Sequence, residues 1–190
     1  MNYLRHYCGE ESSYVQGLFI DECIVSVRRA GGHHPVHSGG YRGALRGAYN
    51  YKDGMFRVGQ CNIIVAWTDI GPGDGPTMVI PGSHKANFPH PNFAEHTIGV
   101  GGSVDGMEEA VEVHMQAGDA LVFVDALCHG SARRVSAGNR RIAVFRYGPS
   151  WGNFRHGYQP SPEMLARLTP ARRQIVQPQQ LLPREPQKSR

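Results

Sequence analysis

The chain has 190 residues, enough for one compact domain and hardly enough for two. Its 24 glycines and 13 prolines favour short strands joined by turns over long helices. No apolar run approaches the roughly 20 residues that a membrane span requires, and the polar N-terminus is unlike a secretory signal. The sequence therefore predicts a cytoplasmic protein without a membrane span.

The formal net charge of +4 belongs to the C-terminal part of the chain. Residues 167–190 hold six basic residues and one acid, a net +5, which leaves −1 for the rest of the chain. A basic face for nucleic acid is therefore not expected. The predicted organisation is a single domain over residues 1–160, followed by a short helix and a basic, Pro/Gln-rich tail over residues 161–190.

Predicted strands follow one another along most of the chain. They cover residues 18–28, 56–70, 77–81 and 140–148, and residues 112–130 hold two strands around an Ala-Gly-Asp turn. Residues 31–43 are predicted as a loop rich in Gly and His. A short helix is predicted over residues 161–168, with Ser161 as its cap. Short strands with little helix indicate a barrel or a sandwich.

Three features together carry a family resemblance. They are VAWTDIGPGDGPTMVIPGSHKANFPHP (65–91), AGDALVFVDALCHGS (117–131), and an arginine, Arg140, eleven residues after His129. In this order they resemble the phytanoyl-CoA dioxygenase family over roughly residues 18–150. The resemblance implies an all-β double-stranded β-helix, a jelly-roll or cupin-like barrel, with few short helices. It also implies Fe(II) and 2-oxoglutarate as cofactors and a small molecule as the substrate.

The resemblance assigns roles to five residues. His129 and, as the best candidate for the other histidine, His37 would bind the metal, since such oxygenases hold Fe(II) by two imidazoles and a carboxylate. Arg140 and Ser131 match positions that bind the distal carboxylate of 2-oxoglutarate, and a carboxylate in a dry pocket needs a permanent cation. Trp67 matches an aromatic position beside the co-substrate. Arg140 is expected to open a strand antiparallel to the one that ends at His129.

Other residues near these motifs are expected to have structural roles. His84, in the Pro-Gly-Ser-His-Lys element, matches a family position that is not a metal ligand. Arg133, Arg134 and Arg146 are interpreted as surface or wall residues.

The chain departs from the family at the metal acid. The family motif is His-x-Asp, whereas Gly39 stands two residues after His37. Four explanations remain open: an acid distant in sequence such as Asp53, a third histidine (His33 or His34), a halide in the place of the carboxylate as in related halogenases, or loss of the metal. In addition, only 36 residues precede His37, fewer than is usual in the family.

Three hypotheses follow from these residues. The first is an Fe(II)- and 2-oxoglutarate-dependent dioxygenase that hydroxylates a small molecule. The second is a halogenase-like variant, motivated by Gly39. The third is a non-catalytic barrel that binds a small ligand. No pattern in the sequence identifies the substrate or the oligomeric state.

Overall fold

The computed structural model describes residues 2–8, 17–38, 47, 49–86, 88–149 and 160–176. Within these ranges the regular structure is mostly strand. It also includes three short α-helices, α1 (Asn2–Tyr7), α2 (Pro162–Arg167) and α3 (Pro170–Val176), and three single turns of 3-10 helix at Ser83–Lys85, Phe93–His96 and Ile98–Val100. No described helix is both long and apolar enough to cross a membrane. The strands are β1 (Leu18–Arg28), β2 (His34–His37), β3 (Asn50–Lys52), β4 (Met55–Arg57), β5 (Cys61–Ala66), β6 (Thr77–Val79), β7 (Val111–Val113), β8 (Ala120–Val124), β9 (His129–Ser131) and β10 (Arg140–Pro149).

Eight of the described strands form two antiparallel sheets of four. The first sheet has the order β1-β10-β5-β8 and the second has the order β2-β9-β6-β7. Strands β3 and β4 pair only with each other, as a separate hairpin. Strands that alternate between two sheets in this way define the double-stranded β-helix, a jelly-roll architecture. The predicted all-β fold class is therefore confirmed.

Side-chain alternation separates the inside of the barrel from its outside. In the first sheet, Ile64, Phe123 and Ile142 pack together in one buried cluster. Residues of opposite parity on β1 face outwards, and Val25 and Val27 are exposed. The even-numbered residues of β5 and β10, and those of β1 from Ile24 onwards, therefore point into the barrel.

Several predicted elements agree with the structure. Strand β1 has the predicted bounds, β6 and β10 lie where strands were predicted, and α2 begins at Pro162. As expected, Ser161 caps α2, because its hydroxyl accepts a hydrogen bond of 3.2 Å from the backbone N–H of Met164.

Three predicted elements need correction. Residues 56–70 contain the end of β4 and the whole of β5, which belong to different sheets. The predicted loop 31–43 contains β2. The apolar strand before His129 ends at Val124, so His129 begins β9 in the second sheet. Apolar patterning locates β-forming residues, but it does not show where a strand crosses from one sheet to the other.

Candidate metal centre

His37 and His129 are brought together by strand pairing in the second sheet. They are register partners in the antiparallel pairing of β2 with β9. Their ring centroids lie 4.0 Å apart, and the ring planes are tilted by 54°. Two imidazoles separated by more than 90 residues of sequence therefore share one position at the inner wall of the barrel.

Each of these rings is held through its Nδ1 atom. His37 Nδ1 lies 3.0 Å from the carbonyl oxygen of Pro35, and His129 Nδ1 lies 2.7 Å from that of Leu127. A carbonyl oxygen can only accept, so in both hydrogen bonds Nδ1 is the donor. The lone pair of a neutral imidazole is then on Nε2, the arrangement in which histidine binds a metal.

Burial keeps both imidazoles neutral. It lowers the pKa of His37 to about 4, with the nearby His34 acting in the same direction. Burial and the neighbouring His37 hold the pKa of His129 well below its ordinary value. A metal ion competes with protons for the imidazole lone pair, so neutral rings at pH 7 are ready for coordination.

His34 is the nearest further histidine to this pair. Residues three apart in a regular strand face opposite sides, but the register of β2 against β9 shifts between His34 and His37. The His34 ring consequently lies with its centroid 4.7 Å from that of His37 and lines the same cavity. His33 is elsewhere, because its Nε2 lies 3.1 Å from the carbonyl oxygen of Gly101.

The described residues do not supply an evident third metal ligand. They include no group of three His, Cys, Asp or Glu side chains able to hold a metal ion. Asp53 is exposed in the turn between β3 and β4, with a left-handed φ of 51°, so the structure does not bring it to the histidines. Gly39 lies outside the described residues.

Asp125 is the acid whose charge acts on His37. It opposes the effect of burial by favouring protonation of that ring and so raising its pKa. Its carboxylate accepts a hydrogen bond of 3.0 Å from the side-chain amide of Asn62. Nothing in the sequence near Asp125 signals this neighbourhood, because the residue follows β8 in the other sheet.

The histidines open onto a cavity of about 160 Å³ between the two sheets. Its walls are apolar in the middle and carry arginines towards both ends of β10. The lining residues are Ile24, Ser26, Arg28, His34, His37, Asn62, Ile64, Thr77, Phe123, His129, Gly130, Ser131, Arg140, Ile142, Val144 and Arg146.

Arg140 is a buried cation that lines this cavity. Its side chain is only 2% exposed, and its Nη2 donates to Thr77 Oγ1 at 3.3 Å. Its Nε is buried without a hydrogen-bond partner, and no described acid forms an ion pair with it. Burial and the positive charges of Arg28 and Arg134 lower the pKa of Arg140 to about 10. A buried, unpaired guanidinium is the electrostatic requirement for a bound anion.

Ser131 lies at the same end of the cavity and is also buried. Its Oγ accepts a hydrogen bond of 2.7 Å from the backbone N–H of His34 and another from Nη1 of Arg28. Sequence reasoning missed Arg28. The only available signal was a basic residue at the end of β1 with the parity of the inward-facing positions.

Arg146 lies at the other end of the cavity and lines its wall, as the sequence predicted. Its Nη1 forms an ion pair of 3.0 Å with Glu22, and its Nε is buried without a hydrogen-bond partner. Its charge contributes to the lowered pKa of both His37 and His129, after burial and their histidine neighbours. Arg134, in contrast, is structural, since it donates to Asp74 and to the carbonyl of Ala137.

Two expected relationships differ in the structure. Arg140 opens β10 as expected, but β10 pairs with β1 and β5, so Arg140 and His129 lie in opposite sheets and meet across the cavity. Trp67 is 52% exposed and is not among the residues that line the cavity. By alternation along β5 it continues the outward-facing parity, which explains why the structure does not bring it to the other predicted site residues.

Gly130, between His129 and Ser131, is required by packing. A Cβ at this position would lie 2.3 Å from Val104 Cγ2, 2.8 Å from the carbonyl oxygen of His34 and 3.0 Å from that of Pro35. Only glycine lets β9 approach β2 this closely. The His-Gly-Ser motif therefore places two cavity-lining side chains, His129 and Ser131, on either side of a close backbone contact.

This donor set can be compared with the needs of iron and 2-oxoglutarate. Two neutral, oriented imidazoles would supply two of the three protein ligands that a facial iron site needs. Arg140, which has no described acid partner, would with Ser131 suit a distal carboxylate. The described residues thus fit 2-oxoglutarate, and they fit the metal through His37 and His129.

Comparison with known proteins supports the family resemblance seen in the sequence. The family model described as phytanoyl-CoA dioxygenase (PhyH) matches residues 1–142. The dioxygenase cdmD of Talaromyces verruculosus is 28% identical over 135 residues, which are 68% of this chain and 41% of that protein. The peroxisomal phytanoyl-CoA dioxygenase of Mus musculus is 24% identical over 160 residues, 79% of this chain and 43% of that protein. The chain thus spans less than half the length of these curated relatives.

Solved structures of HygX from Streptomyces hygroscopicus resemble this chain in fold. The structure with nickel, 2-oxoglutarate and hygromycin B bound has a TM-score of 0.62 at 28% identity, covering 77% of this chain and 62% of that protein. The structure with iron bound has a TM-score of 0.59 at 30% identity, covering 70% and 58%. Iron and 2-oxoglutarate are thus the cofactors of this group of proteins, as expected. By its family match over residues 1–142, its barrel and its paired histidines, this chain belongs to the phytanoyl-CoA dioxygenase family.

Proposed function

We propose that this chain is an Fe(II)- and 2-oxoglutarate-dependent dioxygenase that hydroxylates a small molecule. The observation that carries the proposal is the pairing of His37 with His129, their ring centroids 4.0 Å apart, at a cavity that also holds the unpaired Arg140. An oxygenase of this class needs this combination, and a purely structural barrel has no need to bury an unpaired guanidinium.

Each of these residues has a defined task in the proposal. His37 and His129 would hold the metal through Nε2, while their Nδ1 protons remain with the carbonyl groups of Pro35 and Leu127. Arg140 would pair with the distal carboxylate of 2-oxoglutarate. When bound, iron with 2-oxoglutarate and oxygen supplies the oxidising power, and the co-substrate leaves as succinate and carbon dioxide.

The apolar middle of the cavity would keep water from the reacting atoms. Ile64, Phe123 and Ile142 line it and are buried in one cluster of the barrel interior. Exclusion of water strengthens the electrostatic interactions inside a site and suppresses side reactions. The protein's contribution is therefore to bind, orient and enclose the reactants.

The test is succinate formation that depends on both Fe(II) and 2-oxoglutarate. His129→Ala is expected to abolish it, and Arg140→Ala is expected to raise the concentration of 2-oxoglutarate needed for half-maximal rate at least about tenfold, because a charge-assisted contact is lost. His114→Ala is the matched control, since His114 is exposed and pairs with Glu112. Succinate formation that persists unchanged in His129→Ala would contradict the proposal.

A second candidate is a non-catalytic barrel that binds a small anion. The observation in its favour is that the described residues include no group of three metal-type ligands. Titration calorimetry separates the two candidates. A non-catalytic binder takes up the anion equally with and without metal, whereas the dioxygenase binds 2-oxoglutarate more tightly with metal, because the co-substrate also chelates it.

A further inference from the structure

Arg28 and Arg140 are like charges placed directly opposite each other. They are register partners in the antiparallel pairing of β1 with β10. Both have inward parity, and both line the cavity. Directly opposed residues have Cβ atoms about 4.5–5.5 Å apart, and like charges at such positions destabilise a sheet.

No described acid relieves this repulsion. The ion pairs of arginine among the described residues involve Arg134 and Arg146. Arg28 donates to the neutral Ser131 and Arg140 donates to the neutral Thr77, while Arg140 Nε has no partner. Two adjacent guanidinium groups with neutral partners in a cavity are expected to take up an anion.

The hydrogen bonds of Ser131 add a third donor. A hydroxyl oxygen has two lone pairs. The Oγ atom already accepts from the backbone N–H of His34 and from Arg28. Its own proton is then left to donate. Because Ser131 is buried and lines the cavity, a ligand in the cavity is the acceptor available to this proton.

We propose that Arg28 is a second guanidinium ligand for the distal carboxylate of 2-oxoglutarate, acting together with Arg140 and the hydroxyl group of Ser131. The inference rests on the proposed function and deepens it by naming a residue on β1. A carboxylate has two oxygens and about four lone-pair positions, so it can accept from both arginines and the serine at once.

The test compares two 2-oxo acids that differ only at the distal end. The full chain is loaded with Ni(II), so that no turnover occurs, and titrated calorimetrically with 2-oxoglutarate and with 2-oxopentanoate, which has the same chain length and no distal carboxylate. Arg28→Gln is expected to weaken 2-oxoglutarate binding at least about tenfold, because a hydrogen bond to a charged group is lost. Binding of 2-oxopentanoate is expected to change less than about twofold, because this acid has no distal carboxylate for Arg28 to contact.

Two further variants sharpen the comparison. Arg29→Gln is the matched control, since Arg29 is the next residue, is exposed and does not line the cavity. It is expected to bind both acids like the wild type. Arg28→Lys keeps the charge but lacks the planar fork, so it is expected to restore only part of the affinity. It also serves as the test variant if Arg28→Gln fails to fold.

The outcomes separate this inference from the proposed function. If the wild type binds 2-oxoglutarate and Arg28→Gln binds it equally well, the role of Arg28 is refuted while the dioxygenase assignment stands. Equal losses for both acids would also refute it, because they would mean that Arg28 only maintains the shape of the site through Ser131. A wild type that does not bind 2-oxoglutarate in the presence of Ni(II) contradicts both proposals.

Discussion

Arg28 and Arg140 lie directly opposite each other on β1 and β10, and both side chains line the cavity. Their charges repel, and this cost remains in the ligand-free protein because their hydrogen-bond partners Ser131 and Thr77 are neutral. The repulsion between the two arginines can therefore be measured as a coupling in the unfolding free energy of the ligand-free protein.

The first prediction concerns this repulsion. A double-mutant cycle with Arg28→Gln, Arg140→Gln and the double variant is expected to give an unfavourable coupling of roughly 0.2–1 kcal/mol in the unfolding free energy of the ligand-free protein. Saturating 2-oxoglutarate is expected to abolish this coupling or to make it favourable, because the anion then bridges the two guanidinium groups. Urea unfolding measures both values, and a favourable coupling without ligand would show that the two arginines do not repel.

The second prediction concerns Gly130. Gly130→Ala places a methyl group within 2.3 Å of Val104 Cγ2 and 2.8 Å of the His34 carbonyl oxygen. Overpacking of this kind costs about 1–3 kcal/mol, and here it also pushes β9 away from β2, which separates the two histidines. The unfolding free energy, measured with urea, and the affinity for Ni(II) are both expected to fall. The control is Ala120→Gly, at the exposed start of β8, which weakens a sheet without moving the histidines. Gly54→Ala would not serve, because Gly54 has a positive φ that alanine adopts only with strain.

The third prediction separates two adjacent arginines that look alike in the sequence. Arg134 is buried, ion-pairs with Asp74 at 3.0 Å and donates to the Ala137 carbonyl. Arg133 is exposed and donates to the Gly31 carbonyl. Arg134→Ala is expected to lower the unfolding free energy by about 2 kcal/mol, because it removes a buried side chain together with its charge-assisted hydrogen bonds to Asp74 and to the Ala137 carbonyl. Arg133→Ala is expected to change it by less than about 0.5 kcal/mol, and equal effects would contradict the assignment.

The fourth prediction concerns pH. Burial lowers the pKa of His37 from 6.5 to about 4, so between these values the unfolded chain binds more protons than the folded one. Unfolding free energy rises with pH wherever the unfolded state binds more protons. The stability of the metal-free protein is therefore expected to be full above pH 6.5 and to decline as the pH falls towards 4.

A matched variant isolates this contribution. His37→Gln removes the titrating group, so its stability is expected to decline less steeply over the same pH range. Chemical unfolding at a series of pH values measures both slopes. Identical slopes for the wild type and His37→Gln would show that His37 is not the group responsible.

Sequence reasoning located part of the site because the family motif fixes it locally. His129, Ser131 and Arg140 lie within twelve residues of one another, and all three line the cavity. His37 was identified as a residue, but its strand was interpreted as a loop, because Gly and Pro around the histidines hide a strand of four residues. The paired rings follow from the register of β2 with β9, which no local pattern encodes.

The remaining site residues depend on contacts between distant parts of the chain. Arg28 reaches Ser131 over 103 positions, and it meets Arg140 only because β1 pairs with β10. Asp125 and Asn62 likewise meet across the pairing of β5 with β8. Trp67, in contrast, was assigned from a motif position, and the outward parity at the end of β5 takes it away from the cavity.

The most direct test of the central claim is equilibrium dialysis of the full chain against Ni(II), with and without 2-oxoglutarate, in the wild type, His37→Ala, His129→Ala and the control His114→Ala. If His37 and His129 share one metal ion, the wild type and His114→Ala bind about one Ni(II) per chain and bind it more tightly with 2-oxoglutarate, whereas each of the other two variants loses at least about tenfold in affinity. Undiminished Ni(II) binding by both His37→Ala and His129→Ala would contradict the account.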